Sequence, residues 1–326
     1  MPGAGHGSTM WDKNGNLWHT STMRISVNQQ FERRVGIWPA GFDKDGELFC
    51  NQRYGDWPRK VSNEKSNPWN NPVWYLLSFG KPVMASSSVE EKGPYFATEE
   101  NVQNWWQAAS NEPGEWLEVD LEKAMDVHAI QINFADDKLD IPCPGEIKGT
   151  MTQPRYIDEY DRATRWVLEG SLDGENYFMI EDKSQVDTDF PHDLVVREDG
   201  LQIRFIRLTI LEVPFAQAPC ISGLRVFGLG DGEKPSIPAF EANRSEDELD
   251  LLVSVQGENA VGYNILWGHE PEKLYHSWLV YHGREHVYSK AKIEKRIGAL
   301  VKGQKYYVRV DAFNENGITE GVVIPL

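Results

Sequence analysis

Cysteine is scarce: Cys50, Cys143 and Cys220 are the only three in 326 residues. Three thiols close one bridge at most, which excludes a disulfide-stapled scaffold. Basic residues are also in short supply, with 33 Lys+Arg against 50 Asp+Glu and a net charge of -17. A groove for phosphates needs surplus cations to displace counterions, so no nucleic acid is expected as a partner. The same sign disfavours docking on anionic lipid. No run approaches the roughly 20 apolar residues of a membrane-crossing helix, so no membrane insertion is expected. The first residues do not read as a charged-then-apolar leader. Long runs with helical spacing are nearly absent.

Aromatics, by contrast, are abundant, with 12 Trp, 12 Tyr and 13 Phe. Asn14-Gly15, Asp45-Gly46, Asp173-Gly174 and Asp199-Gly200 each separate apolar or alternating runs. Such dipeptides supply the positive φ that tight hairpins demand. Many short strands punctuated by turns predict an all-β protein of sandwiches or barrels. Two linkers divide it. The polar, Pro-rich stretch 61–72 ends a first segment (1–78), and 231–236 separates a second (79–230) from a third (237–326).

In the first segment, strand-like runs at 6–11, 17–23, 34–42 and 47–52 suit one four-stranded propeller blade. The alternative is a small sheet packed on its neighbour. Gly5-His6-Gly7-Ser8, Asp12–His19 and Gly55-Asp56-Trp57-Pro58 resemble the final blade of family-43 glycoside hydrolases. That resemblance places His6 at the propeller centre and implies a parent hydrolysing arabinoside or xyloside bonds. An inverting mechanism needs two carboxyls roughly 6.5–9.5 Å apart. By the resemblance these come from other blades, so no catalytic residue is assigned here. Asp12-x-Asn14-Gly15 and Asp43-x-Asp45-Gly46 read as hairpin turns, since a calcium loop needs its Gly later and a distant Glu.

The second segment carries alternating runs at 114–121, 127–134, 166–172, 174–180, 201–210 and 221–228, a β-sandwich count. Asn104-Trp105-Trp106-Gln107-Ala108, Pro113–Leu121, Trp166–Gly174, Phe205–Leu208 and Ile221–Gly228 resemble the discoidin or factor V/VIII type C domain, and so the family-32 carbohydrate-binding modules. This implies a galactose-binding-like jelly roll with a glycan or polysaccharide as partner. The alternative that the fold allows is an adhesion module gripping protein or a cell surface. A sugar needs an aromatic to stack on and polar groups for its hydroxyls, on loops at one end of the sandwich. Tyr95, Phe96, Trp105, Arg155, Tyr156, His192 and Phe215 are the candidates, with the long loop between Ala135 and Arg165 contributing. Trp106 and Trp116 read as core. For Trp105, stacking and packing both stand open. Glu99, Glu100 and Asn101 fall where many relatives place a structural calcium, although acids on a solvated loop are the commoner explanation.

The third segment offers seven short strands, and Leu300-x-x-Gly303-x-x-Tyr306-x-x-x-Val310-x-Ala312-x-Asn314 resembles fibronectin type III. Tyr306 is then expected to tie its hydroxyl to backbone just upstream. The three resemblances together imply secretion or a cell-surface location.

Overall fold

In a computed structural model of the protein, residues 4–23, 34–139, 162–298 and 300–326 are described. The fold is all-β, as the turn spacing predicts. Strands β1 (Ala4–Trp11), β2 (Leu17–Met23), β3 (Arg34–Phe42) and β4 (Leu48–Cys50) form one sheet in simple chain order. The turn after β1 is built on Asp12, whose side chain accepts from the Asn14 and Asn16 amides, with Gly15 at φ 78°. The turn after β3 repeats the device with Asp43 and Gly46 at φ 79°. Positive φ is what glycine supplies without steric cost.

The chain sorts into two compact units. The first is dominated by Leu76–Leu229; the second joins Ser8–Thr20 and Ile37–Tyr75 to Gly230–Leu326. The three segments of the sequence therefore fall into two bodies.

The first unit holds β5 (Tyr75–Leu76), β6 (Val83–Ala85), β7 (Trp106–Gln107), β8 (Glu115–Phe134), β9 (Arg165–Ser171), β10 (Tyr177–Asp182), β11 (His192–Glu212) and β12 (Cys220–Leu229). The sheet path runs β10-β9-β11-β8-β12-β5, with β6 on β8 and β7 on β12. Two strands are far longer than the alternation suggests. β8 pairs its first half with residues 205–210 of β11 and its second half with residues 192–203. Register breaks at 196–201 and 203–205 let both strands bend, so the one sheet wraps round a single core. Asp199-Gly200, expected to close a hairpin, instead sits in such a break with Gly200 at φ 76°. The strand bends there and does not reverse, because β8 continues to pair on either side. Trp106, Leu117, Val119, Leu121, Ile132, Trp166, Leu168, Ile206, Leu208, Leu224 and Val226 fill the core. Where the chain enters this unit it lies against where it leaves: the Leu77 amide donates to the Val226 carbonyl at 2.8 Å.

In the second unit, β13 (Ala239–Arg244), β14 (Asp250–Gln256) and β17 (Ile293–Gly298) make one sheet. β15 (Gly262–Gly268), β16 (His276–Tyr281), β18 (Tyr307–Asn314), β19 (Gly317–Thr319) and β20 (Ile324–Pro325) make another. Leu251, Val253, Tyr263, Ile265, Trp267, Ile297, Val308 and Val310 pack between them. The Tyr306 hydroxyl accepts from the Val301 amide at 3.1 Å, the tie its sequence position predicts. Residues 8–20 and 37–75 share this body, while 4–7, 21–23 and 34–36 sort with the first unit. Tyr54 and Trp57 pack edge-on against Phe313, each with centroids 5.6 Å apart. Lys273, its side chain 9% exposed, reaches Asp43, Asp45 and Glu47 at 3.2, 2.7 and 2.8 Å.

Candidate functional site

The C-terminal end of β8 and the N-terminal ends of β11 and β12 are neighbours, since Phe134 pairs with Ile221 and Asn133 with His192. The loops leaving these strands meet. Asn111 Nδ2 donates to the Ala216 carbonyl at 2.9 Å, and Gln217 Nε2 donates to Asp136 Oδ1 at 2.7 Å. Among them stands Phe215, on a short 3₁₀ turn (Pro214–Ala216) with φ 64° and ψ 21°. A bulky residue in the left-handed region costs of order 1–3 kcal/mol and persists only where its surroundings enforce it. The result here is a half-buried phenyl ring with the Arg162 guanidinium 4.0 Å from its centroid. Gln217 Oε1 is buried and has no hydrogen-bond partner among the described residues. This loop end thus gathers a half-buried aromatic ring, a guanidinium packed on it, and beneath them the buried Asp136 carboxylate with the Gln217 amide.

Trp105 belongs to the packing at the same end and not to its surface. It is 9% exposed and clusters with Ala135 and Cys220. The Lys92 ammonium sits 3.7 Å over its ring and 3.7 Å from Asp137. Of the two readings left open by the sequence, the geometry selects packing, because the ring is buried against Ala135 and Cys220. Burial also pushes the neighbouring Cys220 thiol well above the ordinary range.

His192 is tied into a polar row on the outer side of β8, β11 and β12. Its Nδ1 lies 2.5 Å from Asn133 Oδ1 and its Nε2 lies 3.4 Å from Gln131 Nε2. Arg225 donates to Gln131 Oε1 at 2.5 Å and holds both oxygens of Glu100, at 2.8 and 2.7 Å. Glu100 therefore spends its carboxylate on a guanidinium in a pair whose side chains are 8% and 7% exposed. Among the described residues no three His, Cys, Asp or Glu side chains gather as a metal group. Asn101 Oδ1 accepts from the Gln103 amide at 3.1 Å.

Tyr95 and Phe96 stand on another 3₁₀ turn (Pro94–Thr98), packed against β12, β6 and β7. Their ring centroids are 4.3 Å apart, and Tyr95 is 39% exposed. Arg155 and Tyr156 lie outside the described residues. His6 is exposed on β1 at φ 50°. The structure thus brings Phe215 together with Arg162 and Asp136 of the long candidate loop and with Gln217, which the sequence did not single out. Asp136 and Arg162 lie at the two ends of the loop that the sequence marked as long, which was the available signal. Gln217 carried none.

No family model matches the chain, and no curated protein matches it. Solved structures do, at low identity. Chitosan-binding module 1 of a chitosanase/glucanase from Paenibacillus sp. IK-5 is 14% identical over 47% of this chain and 99% of that one, with a TM-score of 0.36. A Clostridium perfringens module crystallised with GlcNAc-alpha-1,4-galactose is 13% identical over 49% of this chain and 97% of that one, at 0.37. The family 32 carbohydrate-binding module of C. perfringens NanJ, in complex with galactose, is 14% identical over 48% and 99%, at 0.36.

Proposed function

We propose that the first unit is a carbohydrate-binding module and that it holds its glycan at the loop end carrying Phe215. The observation that carries this reading is the forced presentation of that ring beside Arg162, Asp136 and the buried Gln217 oxygen. A pyranose has a C–H face that stacks on a phenyl ring and hydroxyls that donate and accept. The discoidin-like wording of residues 104–121, 166–174 and 205–228 supports the same conclusion. The sugars held by the structural neighbours, galactose and chitotriose, are the first probes. Calorimetric titration of the whole chain should show binding by at least one of them, and Phe215→Ala should weaken it about tenfold, the scale of a lost aromatic contact. Retention of neither sugar at millimolar concentration overturns the reading.

The proposal extends to the rest of the chain. The chain-order sheet β1–β4, with Gly5-His6-Gly7-Ser8 on its first strand, supports a closing propeller blade of a family-43-like hydrolase. The two-sheet arrangement of 239–325 and the Tyr306 tie support a fibronectin type III spacer. In that setting the chain anchors substrate outside the cell and contributes no acid or base to glycosidic cleavage. Aryl arabinosides and xylosides should pass unhydrolysed over the purified chain; turnover abolished by His6→Ala would contradict this.

A further inference from the structure

The second unit contains a cleft of about 230 Å³ between the ends of β1 and β3, the start of β2 and residues 65–68. Its floor is buried: Leu17, Trp18, Ala40 and Phe49. Phe49 is held in place by stacking on Trp69 and Tyr275, with centroids 4.7 and 5.3 Å apart. The floor stays open because residue 41 is glycine, where a Cβ would come within 2.6 Å of the Phe49 ring. One wall is fixed by Asn16, which accepts from the Ser66 amide at 2.8 Å and donates to the Glu64 carbonyl at 3.1 Å. Lys65 lies between those two anchors. At the rim, Trp11 is 63% and Phe42 56% exposed. Large aromatics left in water around a built concavity mark a recognition surface more often than a packing remnant.

Among the described residues, Lys65 is the one charged side chain lining the cleft, and no carboxylate lines it. Asp12, in the adjoining turn, spends its oxygens on Trp18 Nε1 and on donors of Asn14 and Asn16. We propose that this cleft is a separate binding site for a single pyranose ring bearing a carboxylate, a hexuronate residue of an acidic glycan. Its C–H face lies on the Trp11 indole and its carboxylate takes a charge-assisted bond from Lys65. The volume falls below the roughly 300 Å³ at which pockets for larger ligands begin, which limits the cleft to one ring. Exposed charges more than about 8 Å away are screened at physiological salt, which limits how far the net charge of -17 opposes an anion.

Titration of the full chain with trigalacturonate and, in parallel, with the neutral cellotriose tests this. Trigalacturonate should bind, and cellotriose should bind at least about tenfold more weakly, the scale of a lost charge-assisted hydrogen bond. Trp11→Ala and Lys65→Ala, both at exposed positions, should each weaken trigalacturonate by about tenfold. Phe215→Ala should leave it unchanged, which separates this site from the loop end of the first unit. Equal affinity for cellotriose, no binding of trigalacturonate, or wild-type affinity in Trp11→Ala or Lys65→Ala would each overturn the proposal.

Discussion

Asp12 and Asp173 perform the same task in different units, each gathering the donors of its own turn. Asp12 is held well below the usual carboxylate range chiefly by Trp18 Nε1, then by Asn16. Asp173 is held low chiefly by the Asn176 amide, at 2.8 Å, and then by the Asn176 side chain. The unfolded chain takes up these protons near about pH 4, whereas the folded chain refuses them until more acid conditions. The stability they contribute is complete above that range and is lost as pH falls toward the depressed folded values. Melting temperature should therefore drop on acidification below about pH 4, and Asp12→Asn with Asp173→Asn should make that drop shallower. Trp105 and Phe215 show how little of the site could be read locally. Both are aromatics in loops with a cation over the ring, yet Trp105 is buried against Ala135 and Cys220 while Phe215 stays half-buried beside Arg162. Exposure was decided by residues distant in sequence. Trp105→Ala should lower the unfolding free energy by about 3 kcal/mol, the cost of emptying a buried indole site. Phe215→Ala should leave stability nearly unchanged, so that the tenfold loss of affinity proposed above is separable from unfolding.

Among elements, β8 and β11 set the architecture of the first unit. Alternation revealed their apolar faces, because a period of two is printed in the residues themselves. It did not reveal that the runs at 114–121 and 127–134 are one strand. A register break leaves no period of its own, and the Glu122-Lys123 pair reads as a polar gap. Gly228 marks how tightly the bend is packed: a Cβ there would come within 2.0 Å of the Asp126 carbonyl and 2.9 Å of Leu77. The backbone carbonyl cannot rotate away as a side chain would. Gly228→Ala should thus destabilise the chain by about 1–3 kcal/mol or more, the usual cost of overpacking, measurable by denaturant titration. Wild-type stability in that variant would show that β12 can slide relative to β8.

For the molecule as a whole, the partition into two units was not legible. The linkers at 61–72 and 231–236 mark changes of segment, but nothing local says that residues 8–20 and 37–75 of the first segment pack with the last. That union rests on side chains more than 200 positions apart: Lys273 among the acids of the β3–β4 turn, Tyr275 donating to Asp43 Oδ2 at 2.8 Å, and Phe313 against Tyr54 and Trp57. The Lys273 ammonium is pushed to a higher pKa chiefly by Asp45, then by Glu47. Lys273→Met leaves three carboxylates facing one another without their cation. It should lower the melting temperature and hasten proteolysis within 37–75, whereas the core of 76–229 should keep its amide protection.

One consequence follows from the hydrogen bond between Leu77 and Val226. The stretch 76–229 therefore begins and ends on abutting strands. Chain ends that abut in this way can be joined by a short turn, so a circularly permuted 76–229 needs no long linker. New termini opened at a loop tip of this stretch should leave its core packing intact.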